Sequence, residues 1–247
     1  MDYTNTLLMF TNANMFLAEC NHKAKPDVII FGEKDLAELA YYYLTKDSEM
    51  FNVSAFTVSR EYYKNSSITM PDGKVFDVVV FEDLPQTHSP DKFSLFAPMT
   101  GIKMNTARKS IYETGKALGY SFVSYISSKA TTFDNTIGEN CFILEDNTIQ
   151  PYTTIGNNVV MWSGNHIGHH GRVGDHVFFT SHVVMSGHCD VQDRAWLGVN
   201  ATLRDGIVVG EGSLIAMGSV VTKSTDENGF YMGFPAKKQE KSAIDVY

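Results

Sequence analysis

Cut into sixes, Ile137–Val160 reads IGENCF, ILEDNT, IQPYTT and IGNNVV, each unit opening on isoleucine. The first position stays apolar as far as Val221, through Met161, Ile167, Val173, Phe179, Met185, Val191, Leu197, Leu203, Val209 and Ile215. Two residues before each of these stands a mostly small or short side chain, such as Cys141, Thr153, Gly171, Ala195, Ala201 or Ser213. A helix repeats every 3.6 residues and a strand every two, so neither produces a period of six. A prism with three flat sides does, because each side turns one apolar residue inward. The pattern is that of a hexapeptide-repeat parallel β-helix. Eighteen residues make one coil, giving about five coils and, at roughly 4.8 Å per stacked strand, a column about 24 Å tall. Each buried aliphatic side chain contributes roughly 1.5–3 kcal/mol, so the stack supplies its own core. Glycine follows the inward residue at Gly138, Gly156, Gly174 and Gly210, with Gln192 the exception. That regularity predicts a corner with backbone angles other residues avoid.

Upstream of the repeats, Asp27–Gly32 is an apolar run ending in glycine, and Leu36, Leu39, Ala40 and Tyr43 then recur at helical spacing. Val53–Val58 and Phe93–Ala97 read as strands, Val75–Phe81 as two short pieces around Asp77, and Asn105–Leu118 as a helix stopped by Gly119. Strand, helix, strand, helix, strand predicts a small parallel βαβ sheet, Rossmann-like in its order, over residues 27–124. The boundaries expected are an extension over 1–26, this α/β domain, a β-helix over 125–223 and a C-terminal tail over 224–247.

With 43% apolar and 19% charged residues the chain is an ordinary globule, and a net charge of -8 disfavours nucleic acid and anionic membranes as partners. Cys20, Cys141 and Cys189 have no metal-like spacing and make no even disulfide set; Cys141 and Cys189 fall in small inward slots as buried thiols. No signal peptide or membrane span is legible, so a cytoplasmic protein is expected.

Six of the eight histidines crowd into one stretch: His166, His169, His170, His176, His182 and His188. His170, His176, His182 and His188 share one slot, three past the inward residue, and are expected to point outward. His170 and His188 are one coil apart and should stack. Histidine suits proton transfer near neutral pH, and a histidine cluster also suits zinc. The ligand pair of γ-type carbonic anhydrases, two histidines separated by four residues, is absent, and no metal is expected.

The segments WSGNHIGHHGRVGD (162–175), IAMGSVVTK (215–223) and GFPAK (233–237) resemble the left-handed β-helix acetyltransferases. The branch they resemble acetylates nucleotide-linked amino sugars, of bacillosamine and perosamine N-acetyltransferase type, with sialic acid O-acetyltransferases as relatives. The left hand of the coil is implied by the resemblance alone, since general crossover rules give the opposite hand. The resemblance implies His169 as general base and the Gly187 N–H as oxyanion donor. Their spacing of eighteen residues puts them one coil apart on one face, with room expected for a thioester carbon between them.

It further implies acetyl-CoA in a groove between subunits of a homotrimer, at Gly187, Asn200, Ala216, Gly218 and Lys223, with Lys237 nearby. A nucleotide-linked amino sugar is implied at the N-terminal domain. Gly32 and Asp35 open a helix there, where free N–H groups favour a pyrophosphate. Lys103, Asn105 and Arg108 are the phosphate-side candidates, and Asn165 and His166 are candidates for the sugar. Two positions depart from the family. His170 stands where many members have an acid orienting the base, leaving Glu145 or Asp146 as substitutes, and Phe178 stands where several have a second histidine. The expected activity is N-acetylation of the sugar amine; O-acetylation of a hydroxyl is the alternative, and a metal-dependent enzyme a more distant one.

Overall fold

In the computed structural model, residues 25–48 and 50–247 are described; the expected extension over 1–26 lies almost wholly outside them. Each hexapeptide forms a two-residue strand and a turn, and each strand pairs in parallel with the strand eighteen residues on. One side of the column stacks Phe142, Val160, Phe178, Trp196 and Leu214 in register. The second stacks Thr148, His166, Val184, Thr202 and Val220. The third stacks Thr154, Arg172, Asp190 and Val208. The inward residues from Ile143 to Val221 form one buried cluster with the small residues that precede them.

The corners explain which side chains the chain tolerates. Every sixth residue from Asn140 to Gly218 has a positive φ, between 55° and 81°. In that region a β-branched residue is strained, whereas glycine, asparagine, aspartate and histidine are favoured. The slot holds Asn140, Asp146, Asn158, Gly164, His170, His176, His182, His188, Asn200, Gly206, Gly212 and Gly218, with Tyr152 and Arg194. It holds no valine, isoleucine or threonine. Four of the clustered histidines therefore sit where the backbone itself selects for their residue type.

The recurring glycines have another cause than the one expected. Gly138, Gly156, Gly174 and Gly210 are absent from the left-handed region. What requires them is the next coil: a Cβ on Gly138 would lie 2.6 Å from the Gly156 carbonyl oxygen, and one on Gly174 2.8 Å from the Asp193 nitrogen.

The N-terminal domain comprises β1 (Asp27–Phe31), α1 (Asp35–Lys46), β2 (Asn52–Val58), β3 (Ser67–Thr69), β4 (Val75–Val80), α2 (Leu84–Thr87), β5 (Phe93–Phe96) and α3 (Thr106–Ala117). The sheet order is β3-β4-β2-β1-β5, parallel except for β3 at the edge. Val75–Val80 is one strand and not two pieces, because Asp77 stays in the ladder opposite Ser67 of the edge hairpin.

This domain sits on the one side of the column whose outward residues are apolar. Phe142, Val160 and Phe178 are buried among Tyr41, Leu44, Phe96 and Tyr125. At the end of α1, the Asp47 carboxylate accepts from Tyr125 Oη at 2.6 Å and from the Ser128 N–H at 2.9 Å, which holds its pKa down at about 2. The residues expected as a C-terminal tail form a hairpin instead. Gly229–Gly233 pairs in parallel with Leu214–Ile215 and antiparallel with Ala236–Ser242, and Tyr231 extends the inward stack. Among the described residues no helix is long and apolar enough to cross a membrane.

Candidate active site

His169, Gly187 and Asp205 occupy one slot in three successive coils, two past the inward residues Ile167, Met185 and Leu203. They meet at Gly187. A Cβ there would lie 3.0 Å from His169 Nε2 and 3.2 Å from Asp205 Oδ1. The expected gap between base and donor is therefore filled: the imidazole lies against the Gly187 α-carbon, and a reacting carbonyl must approach from the outer side. Glycine at 187 is what lets the ring lie there. Among the described residues the Gly187 N–H has no hydrogen-bond acceptor, while the matching amide one coil earlier, His169 N–H, donates to Gln150 Oε1 at 3.1 Å.

The exposed His169 ring is held by its neighbour. Its Nδ1 lies 3.0 Å from His170 Nδ1, so one of the two rings donates and the other accepts. His170 stacks on His188 at 5.1 Å and 19°, and packs on Tyr152 at 4.7 Å. The expected stacking across one coil is present.

Neither expected substitute acid reaches His169. Glu145 accepts from Tyr43 Oη at 2.7 Å and Ser163 Oγ at 2.6 Å, and Asp146 occupies a different corner of the prism, the one shared with Gly164 and His182. The carboxylate that converges on Gly187 from the following coil is Asp205. Counting eighteen residues on from Gly187 would have found it.

His176 contradicts the outward expectation. It is buried under the N-terminal domain, where Asn158 Nδ2 donates to its Nδ1 at 2.8 Å and Tyr112 packs edge-on at 5.6 Å. Burial pushes its pKa down to about 4. Phe178 belongs to the same junction, stacked on Trp196 at 6.2 Å with the Arg108 guanidinium 5.5 Å from its ring centre.

Three further candidates are corrected by their burial. Asn105 is fully buried and donates to the Arg194 carbonyl at 3.0 Å. Arg108 is likewise buried and donates to the Asn158 carbonyl at 2.6 Å and to the His176 carbonyl at 3.3 Å. Both join the two domains, leaving little of either for a phosphate. Asn165 lies inside the column, donating to Asn147 Oδ1 at 2.9 Å and accepting from the Val183 N–H at 2.7 Å; it cannot face a sugar. His166 is half-buried on the outer side of its strand.

A cavity of about 1100 Å³ opens at the ends of β1 and β2, lined by Gly32, Lys34, Arg60, Tyr62 and Lys103. The chain leaves β1 for β2 on one side and returns to β5 on the other, and such a switch point leaves a crevice at the carboxyl ends of parallel strands. Asp35 is exposed on the first turn of α1 and is not among the lining residues. The cofactor candidates divide between two corners: Asn200 and Gly218 share the column of His182, whereas Gly187 and the exposed Lys223 share that of His169. Ala216 is half-buried two residues before Gly218, and Lys237 is exposed in the C-terminal hairpin. A single chain does not bring the two sets together.

The hexapeptide repeat described for succinyl-transferases matches residues 191–223. A variant of perosamine N-acetyltransferase from Caulobacter crescentus, solved with CoA and GDP-perosamine, superposes with a TM-score of 0.76 over 88% of this chain and 99% of that one, at 21% identity. The fold is that of the left-handed β-helix acetyltransferases. The acetyltransferase domain of PglB from Neisseria gonorrhoeae, solved with acetyl coenzyme A, gives 0.73 over 87% of this chain and all of that one, at 18% identity. The acyl-[acyl-carrier-protein]–UDP-N-acetylglucosamine O-acyltransferase of Sinorhizobium fredii is 31% identical over 106 residues, 40% of this chain. The chain covers 39% of that relative's length. Likeness to these left-handed β-helix acetyltransferases spans both domains of the chain in the solved structures.

Proposed function

We propose that this chain is an acetyl-CoA-dependent N-acetyltransferase whose acceptor is the amino group of a nucleotide-linked deoxysugar. The observation that carries the reading is the meeting of an exposed imidazole, His169, with an unpaired amide, the Gly187 N–H, on one edge of the column. The amine nitrogen attacks the thioester carbonyl carbon while His169 takes the amine proton. The oxyanion that forms is held by the Gly187 N–H. Collapse expels the CoA thiolate, which takes up the proton held by His169. The sequence needs no acyl-enzyme.

The cavity at Gly32 and Lys103 would hold the nucleotide diphosphate. Support comes from its place at the switch point of the sheet and from the solved relative that carries GDP-perosamine. A homotrimer, in which a corner of one subunit faces a corner of the next, would bring the two sets of cofactor candidates together into one acetyl-CoA groove. The two proposed substrates are cytoplasmic metabolites, so the cytoplasm is the proposed location, with no nucleic acid or membrane needed as a partner. Surface glycan synthesis is the expected use of the product.

Replacing His169 with alanine should lower turnover by roughly 10²–10⁴, with acetyl-CoA binding retained by calorimetry; near-wild-type turnover would overturn the assignment. A panel of UDP-, dTDP- and GDP-linked amino sugars, read by mass and by alkaline lability of the product, identifies the acceptor. An alkali-labile ester would favour O-acylation instead, the activity in the name of the Sinorhizobium fredii relative.

A further inference from the structure

We propose that His169, His170 and His188 form a site for a divalent metal ion of the zinc class, and that metal bound there blocks the proposed acyl transfer. The three rings make a near-regular triangle, with all three centroid separations 5.1 Å. One ligand nitrogen from each lies within 4.8 Å of the others, and the His169 and His170 Nδ1 atoms are already 3.0 Å apart. Zinc–imidazole bonds of about 2.0–2.1 Å at tetrahedral angles put ligand nitrogens about 3.4 Å apart. The cluster reaches that spacing by turning exposed rings, with no backbone change.

The backbone is fixed where it matters. His170 and His188 hold left-handed corner positions with φ of 55° and 59° in adjacent coils, and the ladder bond from His188 N–H to the His169 carbonyl, at 2.9 Å, locks the coils in register. Imidazole nitrogens without thiolates select zinc, cobalt, nickel or copper over calcium or magnesium. Three protein ligands leave a fourth position open to water.

Coordination takes up the His169 ring that the proposed reaction requires as base. The inhibitory half of the inference rests on that reading; the binding half does not. Neither reading requires a metal for turnover.

The test uses Co²⁺ and Zn²⁺ on the metal-stripped full chain. Calorimetry and the visible absorption of bound Co²⁺ should show one ion per chain at neutral pH. His188→Asn should weaken binding at least tenfold; asparagine already fills the same left-handed slot at the other two corners, at Asn140, Asn158 and Asn200, so the coil should keep its thermal midpoint. Zn²⁺ should inhibit acetyl transfer in the wild type, with at least tenfold more Zn²⁺ needed in His188→Asn. Binding that is absent, or unchanged in His188→Asn, overturns the site. Co²⁺ binding with no effect on transfer leaves the site and overturns the blockade. Failure of His169→Ala to lose turnover overturns the proposed base and with it the blockade through that base, and leaves the metal site standing.

Discussion

A histidine at a given slot means different things at different corners of this column. His169 is free at an edge with a second imidazole on its Nδ1, whereas His176, in the slot shared by His170 and His188, is buried at the domain junction. Its pKa is pushed from 6.5 to about 4 by burial. Once unfolded, the ring takes up a proton near pH 6.5 that the folded ring refuses until about pH 4. Its contribution is therefore complete above pH 6.5 and is lost as pH falls toward 4, by up to about 3 kcal/mol. Urea midpoints measured from pH 7 to 4 should fall over that window, and His176→Gln should flatten the fall.

At the scale of the element, the hexapeptide has two separate demands on small residues. Gly174 is needed for approach between coils, since a Cβ would press on Asp193. Gly206, at a corner, has a φ of 70° and nothing within 4 Å of a Cβ. Gly174→Ala should cost about 1–3 kcal/mol by overpacking, while Gly206→Asn should change stability by less than about 1 kcal/mol, because asparagine accepts the left-handed region. Thermal unfolding of the two variants separates these causes. The sequence shows glycine at both positions and gives no sign of the difference, which lies in what the neighbouring coil places opposite.

At the scale of the molecule, the two domains are joined by buried polar groups that resemble ligand-binding residues in the sequence. Arg108 should be read against Lys103, five residues earlier, which lines the cavity. Arg108→Ala should lower stability by about 3 kcal/mol or more, through lost charge-assisted hydrogen bonds and a void, with little change in affinity for a nucleotide sugar. Lys103→Ala should weaken that affinity, raising KM with stability unchanged. Calorimetric denaturation and steady-state kinetics distinguish the two.

The six-residue period by itself determined the column, its inward residues and the height of the six clustered histidines, because a repeat this regular has one way to bury its apolar position. It also carried an unread signal: Phe142, Val160, Phe178, Trp196 and Leu214 recur every eighteen residues on an outward position, marking the side the other domain covers. Only the tertiary structure decided which polar residues remain free. Asn105, Arg108, Asn165 and His176 look in sequence like His169 and Lys103. They differ because contacts across coils and across the domain junction use their donors and acceptors, and such partners are set by packing between distant segments, not by spacing along the chain.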